Sequence, residues 1–181
     1  MNKIISSIFV LSVFTFSACD NTSEPKVENE VETISPNEKK LNEYVEFTLT
    51  SDLSKLSENQ RKMIPILIEV AEIMDDIFWK EAYGDKEALL SSLTKPEDIA
   101  FCKINYGPWD RLGDNAPFID GVGEKPLGAQ YYPLDMTVEE FEAWDDPTKT
   151  SLYTMIQRTG EGNLISIPFH DAFSVEVERA S

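Results

Sequence analysis

Residues 104 to 112 read INYGPWDRL. Tyr106, Trp109, Asp110 and Arg111 put two aromatic rings, a carboxylate and a guanidinium within six residues. An arginine forks onto a carboxylate through two parallel N–H bonds, an aspartate can hold an amine, and Tyr and Trp supply a rigid wall. That set suits a small polar or peptide-like ligand. A second use of the same residues is packing: Trp109, Phe118, Tyr131 and Tyr132 can bury the loop on the core while Asp110 and Arg111 fix its turns. Both uses stay open at the level of sequence.

Other chemistry is sparse. The chain has one histidine, His170, and two cysteines, Cys19 and Cys102. A protein zinc site needs three or four His, Cys or carboxylate ligands, so His170 could ligate only beside carboxylates. A surface or capping role fits it better. Cys102 lies among Ile99, Phe101 and Ile104, the setting of a small buried hydrophobe rather than a nucleophile. GVGEKP, at 121 to 126, lacks the spacing and the hydroxyl of a phosphate loop, and no Gly-x-Ser-x-Gly elbow is present. Asp110, Asp114, Asn115 and Asp120 cluster oxygens, but not at the spacing of a calcium loop.

These residues need elements to hold them. YVEFTLT alternates apolar and polar residues and predicts a strand from Val45 to Thr50. Ser57-Glu58-Asn59-Gln60 is a capping box, opening a helix that should reach about Ala82. Met63, Leu67, Val70, Met74, Ile77 and Phe78 form its apolar stripe. Ile64, Ile66 and Ile73 widen the stripe, which predicts a mostly buried helix, and Pro65 should kink or divide it. Gly84 is a stop. Asp85 caps a helix to about Leu93, and Pro96 opens another to about Lys103. The long loop follows. Thr137 and Glu140 cap a short helix to about Trp144. SLYTMIQR (151 to 158) and LISIPF (164 to 169) flank TGEGN and predict a β-hairpin. Phe169, Phe173, Val177 and Ala180 then share one helical face, predicting a last helix that has barely begun where the sequence stops.

The 181 residues carry 41% hydrophobic residues and a formal net charge of −17. The apolar share supports a core. The acidic surface repels phosphate backbones, so nucleic acid is excluded as a partner. Lys3 precedes an apolar run from Ile4 to Phe16 that has signal-peptide length rather than spanning length. It ends in Phe16-Ser17-Ala18-Cys19, which resembles a bacterial lipobox. The organisation expected is a lipoprotein signal peptide at 1–18, a disordered acidic linker at 19–43 and a folded part at 44–181. Cys19 would carry the lipid and anchor the chain in the cell envelope, with the inner and outer membranes left open. No disulfide partner then remains for Cys102.

Several blocks together resemble a known family. They are TLTSDLSKLSENQRKMIPILIEVAEIMDDIFWKEAYGDKEALL, INYGPWDRL, PFIDGVGEKPLGAQYYPLDMTVEEFE and SLYTMIQR with IPFHDAF. They look like the N-terminal region of bacterial zinc hydrolases related to dipeptidyl-peptidase III, and like the peptidase unit of plant nudix-fused proteins. The resemblance implies a two-lobed metallopeptidase, anchored here at the membrane, that removes dipeptides from peptide N-termini. Its zinc would be held by a His-Glu motif helix and a later Glu. None of those residues occurs in this sequence, so the chain is expected to hold no zinc, to contribute no catalytic residue and to be inactive alone. The expected fold is α+β, an incomplete lobe made of a helical group, a β-hairpin and one further strand. Tyr106, Trp109, Asp110 and Arg111 would then line a substrate cleft or anchor the loop. The competing reading is a small non-enzymatic lipoprotein that binds peptides or a partner protein.

Overall fold

The computed structural model describes residues 34–181. Cys19, the signal peptide and most of the expected linker lie outside the described residues. Helices and two small antiparallel ladders alternate along the chain, an α+β arrangement.

The first helix, α1 (Pro36–Leu41), falls inside the stretch expected to be linker. Ser35 caps it, accepting from the Glu38 amide, and Pro36 sits in the first turn, where a missing N–H costs nothing. Asn37 Nδ2 donates to Asp98 Oδ1 at 2.7 Å and to the Phe118 carbonyl at 3.0 Å. Those two bonds dock α1 on a later helix and on the long loop. Tertiary partners thus order a polar segment whose composition alone reads as linker.

The strand expected at Val45 to Thr50 does not pair. These residues belong to no helix or strand. Val45, Phe47 and Leu49 are 87%, 79% and 87% exposed. Strand-forming residues are present, but among the described residues no second strand meets them.

Helix α2 (Glu58–Ala82) runs 25 residues. Both halves of the capping box form: the Gln60 amide donates to Ser57 Oγ at 3.3 Å, and the Ser57 amide donates to Gln60 Oε1 at 2.9 Å. Arg61 adds two bonds to the Leu56 carbonyl. Pro65 neither stops nor divides the helix. It is the eighth residue, so the helix continues past it without the amide hydrogen bond that position would give to the Arg61 carbonyl. The expectation of a mostly buried helix fails: only Ile73 and Trp79 are buried. Gly84, at φ 110°, ends the helix and donates its amide to the Trp79 carbonyl at 3.1 Å.

Helix α3 (Lys86–Ser92) starts at the Asp85 cap, and α4 (Pro96–Asn105) starts with Pro96 in its first turn. Trp79 of α2, Leu89 of α3 and Cys102 of α4 form the core. Tyr83, Leu93, Tyr106, Phe118 and Ile119 pack against it.

The long loop contains a two-residue ladder, β1 (Trp109–Asp110) against β2 (Ala116–Pro117). Helix α5 (Val138–Ala143) is capped by Thr137. The hairpin is β3 (Thr154–Arg158) against β4 (Leu164–Pro168), with Ile156 opposite Ser166. The last helical stretch is two helices, α6 (Phe169–Ala172) and α7 (Ser174–Arg179), broken at Phe173. Phe173, at φ −115° and ψ 33°, leaves helical geometry there, and its side chain is buried. Glu176 of α7 is buried against Lys80 of α2, with Nζ to Oε1 at 2.5 Å.

Candidate functional site

The four residues that opened the sequence reading face different surroundings. Helix α4 ends on Tyr106 in the left-handed region, at φ 54°, and Gly107 follows at φ 149° with its amide on the Cys102 carbonyl. A non-glycine residue there costs on the order of 1 kcal/mol, which its side-chain contacts offset. The Tyr106 ring stands edge-on to Phe78 at 4.6 Å and packs on Trp79 at 5.2 Å. Its hydroxyl donates to Asp75 Oδ1. That bond to a carboxylate, more than burial, holds the phenol above its ordinary pKa.

Trp109 is buried and donates Nε1–H to the Gly123 carbonyl at 2.9 Å. Its ring packs on Tyr83 at 5.8 Å. The bond ties together two stretches of the loop 14 residues apart. Asp110 is buried too. Its Oδ1 accepts from the Leu112 amide at 3.1 Å, and Oδ2 pairs with Lys40 Nζ at 3.3 Å. The turn leaves no room at Gly113, where a Cβ would sit 2.6 Å from Asp110 Oδ2. Arg111 differs. Its backbone amide donates to Asn105 Oδ1 at 2.9 Å, but its side chain is exposed and its guanidinium lies 5.2 Å over the Phe78 ring. Trp109 and Asp110 therefore spend their polar groups on this chain. Arg111 keeps its fork open to a ligand.

Asn105 was missed by the sequence reading. It is buried, donates to the Phe101 carbonyl at 3.0 Å and accepts from the Arg111 amide. An asparagine in the last turn of the helix, two residues before Gly107-Pro108, was the available signal.

Two grooves adjoin these elements. One, of about 590 Å³, is lined by Asp75, Trp79, Lys86, Leu90, Lys103 and Tyr106 and mixes charge of both signs. The other, of about 530 Å³, is apolar, with Pro126, Leu127, Tyr132, Pro133, Val138 and Phe141 on its walls.

The metal-ligating residue types do not converge. Among the described residues no three His, Cys, Asp or Glu side chains come together as a metal site. The four-oxygen cluster of the loop falls under the same finding. His170 is exposed and its Nε2 lies 3.5 Å from Asp171 Oδ1. Cys102 is fully buried, and burial pushes its thiol up to about 12, so it carries no thiolate near neutrality. The described residues offer no side-chain set that fits a zinc ion.

The described residues form an α+β fold of helices and two small antiparallel ladders. No family model matches the chain. It is similar to dipeptidyl-peptidase III from Caldithrix abyssi, with 33% identity and a TM-score of 0.72 over 78% of this chain and 29% of that one. Dipeptidyl-peptidase III from Corallococcus sp. strain EGB shares the fold, at 24% identity and a TM-score of 0.71 over 80% of this chain and 29% of that one. Nudix hydrolase 3 of Arabidopsis thaliana is 26% identical in an alignment of 169 positions that covers 70% of this chain and 22% of that protein. The resemblance read from the sequence blocks is thus present in three dimensions. The chain spans less than a third of the length of the solved structures it matches.

Proposed function

We propose that this chain supplies the leading segment of a dipeptidyl-peptidase III-like zinc peptidase, held at a bacterial membrane through lipidated Cys19. The observation that carries the reading is the combination of 33% identity and a TM-score of 0.72 over 78% of the chain. The zinc and the water-activating Glu of such an enzyme would come from residues other than those described here. The chain's own contribution is scaffold plus one wall of a cleft. Arg111, with its exposed fork, is the group that can meet a peptide carboxylate or carbonyl.

Two measurements test this. The reading frame following or adjoining this one is expected to encode a His-Glu-x-x-x-His-type helix, and a gene neighbourhood with no such frame overturns the proposal. The purified chain with added zinc is expected to leave a dipeptidyl-arylamide uncleaved. Cleavage by the chain alone would show that the ligands lie within it.

A second reading is a non-enzymatic lipoprotein that binds peptides. The apolar groove between Pro126 and Phe141 favours it, since a concave, mostly apolar surface with few polar groups suits a peptide side chain. It requires a soluble chain whose hydrophobic dye binding stays low until a single cooperative melt.

A further inference from the structure

Helix α1 buries none of its residues completely. At six residues it is too short to persist alone in water, where an isolated helix needs roughly 12 or more. What holds it in place is mostly polar. Ser35 Oγ donates to Glu97 Oε1 at 3.3 Å and Asn37 Nδ2 to Asp98 Oδ1 at 2.7 Å, both at the start of α4. Asn37 also reaches the Phe118 carbonyl, one residue past β2. Lys40 Nζ lies 3.3 Å from Oδ2 of Asp110, in β1. Tyr44, just after the helix, adds an edge contact to Phe101 at 6.1 Å. One short helix thus bridges α4 and both sides of the loop's ladder.

The contact with Asp110 leads to the candidate site. Asp110 shapes the turn that carries Arg111. Its carbonyl accepts from the Gly113 and Asn115 amides at 3.0 and 2.9 Å, and its Oδ1 accepts from the Leu112 amide at 3.1 Å. Its Oδ2 pairs with Lys40. The two halves of that pair are unequal, since the side chain of Lys40 is 49% exposed and that of Asp110 is 10% exposed. Lys40 can turn to water at little cost, whereas Asp110 would keep a buried charge without its cation.

We propose that α1 is a strap that latches the Arg111 turn. Docked, it holds Asp110 through Lys40 and so fixes residues 111–115. Undocked, it loosens that turn while the core stays folded, because Trp79, Leu89 and Cys102 belong to α2, α3 and α4. Lys40 is then a positioning residue that acts on Arg111 through Asp110. Residues 1–33 precede the strap. In a chain held by Cys19, tension or a partner on that segment acts on the turn through α1. The inference rests on the proposed function only for the tether and for the peptide that Arg111 meets.

Amide exchange of the full chain, read residue by residue by NMR, tests the latch. Lys40→Met removes the charge and keeps an unbranched stem. It should speed exchange at Asn42, Leu112, Gly113 and Asn115 together, by at least about tenfold, and leave Tyr83 and Gly107 as in the wild type. Lys40→Arg should restore wild-type rates. Lys39→Met, at an exposed position without an ion pair among the described residues, should not change them. Salt screens a half-exposed cation, so about 0.5 M sodium chloride should speed the same amides in the wild type and add nothing in Lys40→Met. Faster exchange confined to α1 overturns the proposal, because α1 then lies on the loop without holding it. Unchanged rates in Lys40→Met, or no rescue by Lys40→Arg, overturn it as well. Equal acceleration at Tyr83 and Gly107 does so too, since the opening is then global. The absence of a zinc-motif frame would remove the peptide reading of Arg111 and leave the latch standing.

Discussion

At the scale of single residues, the distinction between ligand-facing and fold-facing groups turns on where each polar atom is satisfied. Trp109 and Asp110 have their partners within the chain, at Gly123 and at Leu112 and Lys40. A ligand would have to displace those bonds. Among the described residues, the Arg111 guanidinium has a cation–π contact with Phe78 to give up, worth about 0.5–1 kcal/mol at an exposed site. Tyr131, two residues past Gly-Ala in the GAQYYP block, carries a second constraint. Burial first, and the Glu81 side chain after it, raise its phenol from 10.0 to about 12. The unfolded chain therefore gives up this proton at lower pH than the folded one. The stabilisation is complete below about pH 10 and is lost as pH rises towards 12. Urea midpoints measured from pH 9 to pH 12 should fall more steeply for the wild type than for Tyr131→Phe, with parallel curves as the contrary result.

Among elements, the hairpin and α5 are joined by one arginine. Arg158 of β3 donates Nε–H to Asp135 Oδ2 at 2.8 Å, and both Nη groups grip Glu140 of α5 at 2.8 Å. Nη1 also reaches the Gly162 carbonyl in the hairpin turn. Arg158 holds both carboxyls below their usual range. A depressed carboxyl stabilises the fold above its unfolded value, and that gain disappears as pH falls through the folded one. Arg158→Ala is thus expected to lower the urea midpoint at pH 7, with the gap to the wild type closing below about pH 4. A gap independent of pH would mean that Arg158 acts through packing of its stem instead. The clamp pairs residues 18 and 23 positions apart. No local pattern links them, so a capped short helix and a hairpin are legible in the sequence but the tie between them is not.

For the whole molecule, the small core is the telling feature. Among the described residues nine hydrophobic side chains are buried, while apolar residues of α2 and Val45, Phe47 and Leu49 stay exposed. Such a chain is short of partners, which is the physical content of reading it as part of a larger lobe. No helix among the described residues is long and apolar enough to cross a membrane. Attachment, as proposed, rests on Cys19 alone. Labelled palmitate fed to a bacterial host should enter the wild-type chain and sediment with membranes, and both signals should vanish in Cys19→Ser. Label retained by the variant would place the lipid elsewhere and overturn the lipobox reading.

The elements whose determinants are local were legible in advance. Ser57 and Gln60 close a box within one turn, Asp85 caps three residues ahead, and a five-residue turn brings β3 and β4 together. The fate of the apolar residues was less legible. Period tells which residues share a face, never whether anything lies against it. Helix α2 was expected to be mostly buried on that period, and most of its stripe is exposed. Val45 to Thr50 alternates as a strand does, but a strand exists only once a second one supplies hydrogen bonds. Linker composition at 36–41 gave way to two bonds from Asn37 to distant partners. The INYGPWDRL loop follows the same division. Its residue types by themselves determined that it could bind or pack. Only the tertiary structure, by giving Trp109 and Asp110 their partners and leaving Arg111 exposed, decided which of these side chains is tied into the fold, because that depends on neighbours that are close in space and remote in sequence.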